Sequence, residues 1–96
     1  MSNESIRVLL VDDQPMLRTG LSTILSTEPG LEVVGEASNG HEALQLVDRL
    51  DPDVVCMDVQ MPDMDGIEAT RTLVESGARA AVLILTTFNR DDFLFE

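Results

Sequence analysis

Lysine is absent from this chain. All six cationic side chains are Arg, and 18 acidic residues leave a formal net charge of −12 over 96 residues. Such a balance argues against direct binding of this segment to nucleic acid. It favours a cationic partner, a metal ion, or simple solubility. Cysteine is nearly absent too: Cys56 stands alone, so no internal disulfide can form, which fits a reducing, cytosolic setting. No apolar stretch approaches the ~20 residues of a membrane-spanning helix. The opening Met-Ser-Asn-Glu-Ser lacks the pattern of a signal peptide, so a cytoplasmic protein with no membrane partner is expected. There is no internal repeat, linker or low-complexity tract, and the length suits one domain.

What the chain does have is organised around Val54 to Gly66, Val-Val-Cys-Met-Asp-Val-Gln-Met-Pro-Asp-Met-Asp-Gly. Val54 to Met57 is an apolar run too short for an ordinary helix, bounded by Asp51-Pro52-Asp53. It reads as a strand buried on both faces, with Cys56 as a core thiol. Asp58 stands where the run ends, and Pro62 and Gly66 punctuate a polar loop before a helical pattern begins. In an open α/β sheet, chemistry gathers outside the carboxyl ends of the strands.

From the start, Ile6 to Val11 is a first apolar strand that ends in Asp12-Asp13. Pro15 suits a first helical turn, and Leu17, Leu21, Ile24 and Leu25 recur at helical spacing, which predicts an amphipathic helix over 14–27. Glu28-Pro29-Gly30 stops it. Leu31 to Ala37 is a second strand, more alternating and so nearer an edge. Asn39 and Glu42 resemble the capping box of a helix whose inner face carries Ala43, Leu44, Val47 and Leu50. After the central strand and its loop, a helix over 66–76 is expected to bury Ile67, Thr70 and Leu73 or Val74, stopping at Gly77. Ala80 to Leu85 is a fourth strand, followed by Thr86-Thr87. Asn89 to Glu96 reads as the first turns of another helix. Regular alternation of strands and helices predicts a doubly wound parallel sheet, covered on both faces, with right-handed crossovers.

Three of the four strands therefore end in oxygen-bearing residues: Asp12-Asp13, Asp58 and Thr86. If the first strand neighbours the third, Asp12, Asp13 and Asp58 converge in one crevice. Three carboxylates so close repel one another, and a cation should relieve them. Hard oxygen ligands without His or Cys suit Mg²⁺, which accepts few protein ligands. A carboxylate beside Mg²⁺ can act as a nucleophile toward phosphorus, and Thr86 is placed to hydrogen-bond the product.

At these residues the sequence resembles a response-regulator receiver domain of the NarL/FixJ type, which precedes a LuxR-type helix-turn-helix output domain. The matching segments run 8–21, 33–40, 52–66 and 82–88. The resemblance implies a flavodoxin-like receiver fold with strand order 2-1-3-4. It implies Asp58 as phosphoacceptor, Asp13 as a direct Mg²⁺ ligand assisted by Asp12, and the main-chain carbonyl of Gln60 as a further ligand. Thr86 would be the switch hydroxyl, and Thr87 would govern access of water to the acyl phosphate. A sensor histidine kinase would be the phosphoryl donor, and DNA would be reached only through an output domain absent from these residues. Phosphorylation would make the chain a switch rather than an enzyme. A family member continues through a fifth strand ending in Lys and a fifth helix. Neither is found here, so residues 1–96 are expected to be a receiver domain incomplete at its C-terminus. Its fourth strand would be left open to a homodimer by strand or segment exchange.

Competing chemistry is weaker. A haloacid-dehalogenase-type phosphatase also uses a strand-end Asp with Mg²⁺, but wants a second acid two residues on, where this chain has Gln60. A mononucleotide binder wants a Gly-rich or Ser/Thr-rich loop after the first strand, where Asp12-Asp13 would repel phosphate. His41 reads as an exposed spectator, Met57 as core, Met61 and Met64 as loop packing, and Arg18 and Arg71 as solvated helix-face residues.

Overall fold

A computed structural model of the chain describes residues 5–58 and 66–85. Seven elements follow in order: β1 (Ile6–Val11), α1 (Pro15–Ser26), β2 (Leu31–Ala37), α2 (Gly40–Leu50), β3 (Val54–Asp58), α3 (Gly66–Glu75) and β4 (Ala81–Leu85). The strands form one parallel sheet in the order β2-β1-β3-β4, as the alternating pattern and the resemblance require. β2 is an edge strand, and β4 is the opposite edge among the described strands.

Alternation of side chains along the strands divides the core in two. Leu9, Val11, Val55 and Met57 face α2 and α3, packing with Ala43, Val47, Ala69 and Leu73. Val8, Leu10 and Cys56 face the other way, against Leu21 and Leu25 of α1. β1 is central and covered on both sides, so Val8 to Val11 is an unbroken apolar run with every residue buried. Each fully buried aliphatic side chain contributes about 1.5–3 kcal/mol, and these two clusters hold the elements in register.

Local signals set the helix ends. Asn39 caps α2, its Oδ1 accepting from the Glu42 N–H at 2.8 Å. The reciprocal half of the box is displaced by one residue: Glu42 Oε1 accepts from the N–H and hydroxyl of Ser38 at 2.7 and 3.0 Å, not from Asn39. Those bonds hold the Glu42 carboxyl below its ordinary range. α1 has no side-chain cap, and Pro15 opens it with no N–H to satisfy. α3 closes in a Schellman turn: the N–H of Ala78 bonds the Leu73 carbonyl, that of Gly77 the Val74 carbonyl, and Gly77 takes φ +79°.

Two expectations about helix faces need correction. Ile67 is 58% exposed and Ala69 is fully buried instead; of the alternatives Leu73 and Val74, Leu73 is the buried one and Val74 is 70% exposed. Ala69 and Leu73 lie one turn apart and share the face that meets the sheet; Ile67, two residues before Ala69, falls on the far side. Thr70 is half-buried, as a flank of that face. On α1 only Leu21 and Leu25 reach the core, while Ile24, a quarter-turn round, stays 62% exposed. Leu44 packs against the core as expected and Leu50 is half-buried.

The amino-terminal edge of the sheet is closed by ion pairs. Asp53 accepts the Arg7 N–H at 2.8 Å and meets Arg79 Nη1 at 3.0 Å. Arg79 Nε also bridges both carboxylate oxygens of Asp51, at 3.1 and 3.0 Å. Asp51 itself sits in the left-handed region at φ 48°, a conformation strained for a residue with a Cβ. Its carbonyl accepts from Arg7 Nη1 and Arg79 Nη2, both at 3.0 Å, which ties the strained corner down.

Candidate metal centre

At the opposite edge of the sheet, β1 and β3 run side by side with Val11 level with Met57. The next residue of each strand is an Asp. Asp12 is 2% exposed and Asp58 1% exposed; Asp13, one position along the loop, is half-buried. One carboxylate oxygen from each of the three lies within 4.8 Å of the others. Strand adjacency thus assembles the crevice that the strand endings predict.

Each tie on Asp12 is distinct. Its N–H continues the ladder to the Ala37 carbonyl at 3.0 Å. Its Oδ1 accepts from the Gln14 N–H at 2.8 Å, a turn that leads the chain into α1. Its carbonyl accepts from Arg18 Nη1 at 2.6 Å. Its Oδ2 is enclosed and has no hydrogen-bond partner among the described residues. A buried carboxylate oxygen without a donor is costly to leave unmade, of order 1–3 kcal/mol. Burial pushes the Asp12 carboxyl above its ordinary range, and the charges of Asp58 and Asp13 add to that; the Gln14 N–H and Arg18 work against it.

The donor set is all carboxylate oxygen, with no His or Cys among the clustered groups. Hard cations such as Mg²⁺ prefer such donors, and a divalent ion would supply the orphaned Asp12 Oδ2 with the positive charge it lacks. The residues present therefore fit a Mg²⁺ site.

Residues 8–96 match the response regulator receiver domain family. This chain belongs to that family. The receiver domain is 46% identical over 90 residues to the transcriptional regulatory protein LiaR of Bacillus subtilis, covering 94% of this chain and 43% of that protein. It is 41% identical over 93 residues to the nitrate/nitrite response regulator NarL of Escherichia coli K12, covering 96% and 43%. Among solved structures, the signal receiver domain of a NarL response regulator from Mycobacterium tuberculosis superposes with a TM-score of 0.85 at 33% identity, over 96% of this chain and 74% of that one. The chain spans less than half the length of the curated relatives it matches. The NarL-type resemblance and the fold drawn from it are therefore correct, and nothing in these likenesses supports the phosphatase alternative.

Of the receiver domain's expected site residues, Asp12, Asp13 and Asp58 are brought together. Gln60, Thr86 and Thr87 lie outside the described residues, as do Pro62, Met61 and Met64. His41 and Arg71 are exposed, and Met57 is fully buried, each as expected. Arg18 is not solvated as its helical position suggested. Its guanidinium is held by the Asp12 carbonyl and by Glu36 Oε1 at 3.0 Å, and its side chain is 18% exposed. The one available signal was a cation placed a single helical turn beyond an acidic strand end. Its second partner, 18 residues on, depends on the pairing of β2 with β1. No helix among the described residues is long and apolar enough to cross a membrane.

Proposed function

We propose that this receiver domain is the phosphoacceptor switch of a two-component response regulator, with Asp58 as acceptor. The observation that carries the reading is the burial of Asp58 at the end of β3, within a cluster whose Asp12 Oδ2 has no hydrogen-bond partner among the described residues. A carboxylate oxygen of Asp58 attacks the phosphorus of a phosphohistidine on a sensor histidine kinase. The P–N bond breaks, the imidazole leaves and takes up a proton, and an acyl phosphate remains on Asp58. Asp12, Asp13, Asp58 and the main-chain carbonyl of Gln60 would hold Mg²⁺. When bound, that ion supplies positive charge to the phosphoryl oxygens as they approach the acids. Thr86 offers its hydroxyl to a phosphoryl oxygen, and Thr87 governs the approach of water, which makes hydrolysis slow and the chain a switch rather than an enzyme. In the longer protein the changed surface controls dimerisation and a DNA-binding output domain in the cytoplasm. The relatives' description as transcriptional and nitrate/nitrite regulators supports that reading.

The test is incubation with acetyl phosphate and MgCl₂, followed by intact mass. Wild-type chain should gain the mass of one phosphoryl group as an acid-labile adduct, and EDTA should prevent it. Asp58→Asn should gain nothing. An equal adduct on the Asn variant would overturn the assignment.

A further inference from the structure

Arg18 occupies an unusual position for a cation beside an acidic cluster. It does not pair with any of the three clustered carboxylates among the described ion pairs. Its Nη1 instead reaches behind the cluster to the main-chain carbonyl of Asp12 at 2.6 Å, while its Nε is taken by Glu36 at 3.0 Å. The carbonyl it grips belongs to the peptide unit that joins Asp12 to Asp13. A peptide is planar, so fixing the direction of that carbonyl also fixes the Asp13 nitrogen and narrows where the Asp13 side chain can leave the backbone. No other hydrogen bond is made to this carbonyl among the described residues. Glu36, at the penultimate position of β2, gives the guanidinium a counter-charge. It thereby holds Arg18 on the back of the turn, away from the carboxylates a divalent cation would use.

We propose that Arg18, anchored by Glu36, is a positioning residue that orients the Asp12–Asp13 peptide so that both carboxylates meet one divalent cation. The proposal rests on the Mg²⁺-dependent phosphoacceptor reading above. Groups that orient metal ligands commonly matter 10–100-fold for metal affinity. The sign of the effect separates orientation from charge. If Arg18 acted only as a nearby positive charge, its removal would relieve repulsion and tighten Mg²⁺ binding. If it orients the ligands, its removal weakens binding despite the lost repulsion.

The measurement is isothermal titration calorimetry of MgCl₂ into metal-free chain, with circular-dichroism melts of the same samples. Arg18→Met keeps the aliphatic stem and removes the donors. It should bind Mg²⁺ about 10-fold more weakly. Its phosphorylation by acetyl phosphate should need correspondingly more Mg²⁺ but reach the wild-type extent at saturation. Arg18→Lys, which keeps a single donor and the charge, should recover part of the affinity. A folded Arg18→Met that binds Mg²⁺ as tightly as wild type, or more tightly, overturns the proposal, and so does a lowered melting temperature with an unchanged Kd. Should Arg18→Met not fold, Glu36→Gln keeps the guanidinium and loosens its anchor. A several-fold weaker Kd there supports the proposal and an unchanged Kd overturns it. Wild-type chain that binds no Mg²⁺ at all would instead refute the underlying functional reading.

Discussion

At the amino-terminal edge of the sheet, Asp51 and Asp53 each meet the Arg79 guanidinium at 3.0 Å, and Arg7 closes the same corner. At the carboxyl-terminal edge, Asp12, Asp13 and Asp58 meet one another, and Arg18 passes behind them. The same residue types thus do opposite things 10–15 Å of strand apart, about four residues at ~3.3 Å each. Acids that find a guanidinium lower their own energy and brace the fold. Acids crowded against one another raise it, and burial adds to the cost at Asp12, whose carboxyl is pushed above its ordinary range. A fold keeps such a liability where something else is meant to complete it.

The largest test of this contrast is metal. Mg²⁺ at 100-fold excess over its Kd should stabilise the chain by about 2.7 kcal/mol, a rise in melting temperature on the order of 10 °C. The double variant Asp12→Asn/Asp13→Asn should show no shift in the same thermal melts, whereas substitution of Asp51 should leave the shift intact.

Next is the repulsion itself. In EDTA, Asp12→Asn should be more stable than wild type by about 1 kcal/mol in urea denaturation, since it removes a buried charge and keeps an acceptor for the Gln14 N–H. The pH dependence fixes the sign. The Asp12 carboxyl is raised in the folded state, so its contribution to stability is greatest below the ordinary carboxylate range and is lost as pH rises through its folded value. Asp53 is lowered, chiefly by the Arg7 N–H and then by Arg79, so its contribution is present above that range and is lost as pH falls. The Asn variant at position 12 should therefore flatten the decline that sets in as pH rises above the ordinary carboxylate range in the metal-free profile, and leave the loss at lower pH from Asp53 unchanged.

The smallest effect belongs to the closed edge. Asp53→Ala should lower the melting temperature by a few degrees and leave the decline with rising pH unchanged, because this half-exposed corner lets water replace the lost partners. Responses of opposite sign at the two edges, stabilising at Asp12 and destabilising at Asp53, would confirm the contrast; a stabilised Asp53→Ala would break it.

Much of the candidate site was legible before any coordinates. An apolar run ending in Asp-Asp and another ending in Asp need only neighbouring strands to bring three acids together, and parallel topology places all strand ends on one edge. The bounds of β1 and β2 were legible for the same reason, since Asp12 and the Pro29-Gly30 pair interrupt their apolar patterns sharply. The buried face of α3 was not. Ala69 is small and Ile67 large, so hydrophobicity ranks them the wrong way round, while the space between α3 and the sheet admits Ala. The guanidinium contacts were hidden as well. Arg79 meets acids 26 and 28 positions earlier, and Arg18 meets Glu36, so each depends on how strands align rather than on local spacing.

Cys56 has a consequence of its own. It lies two residues before Asp58 on the same strand and the same side of the sheet, 8% exposed, with burial pushing its thiol up. β3 therefore carries a soft sulfur and a hard oxygen as near neighbours, and walls off the sulfur. Oxidants and electrophiles find a protonated, shielded thiol, so the proposed phosphoryl chemistry at Asp58 and the sulfur chemistry of Cys56 are kept apart by placement alone.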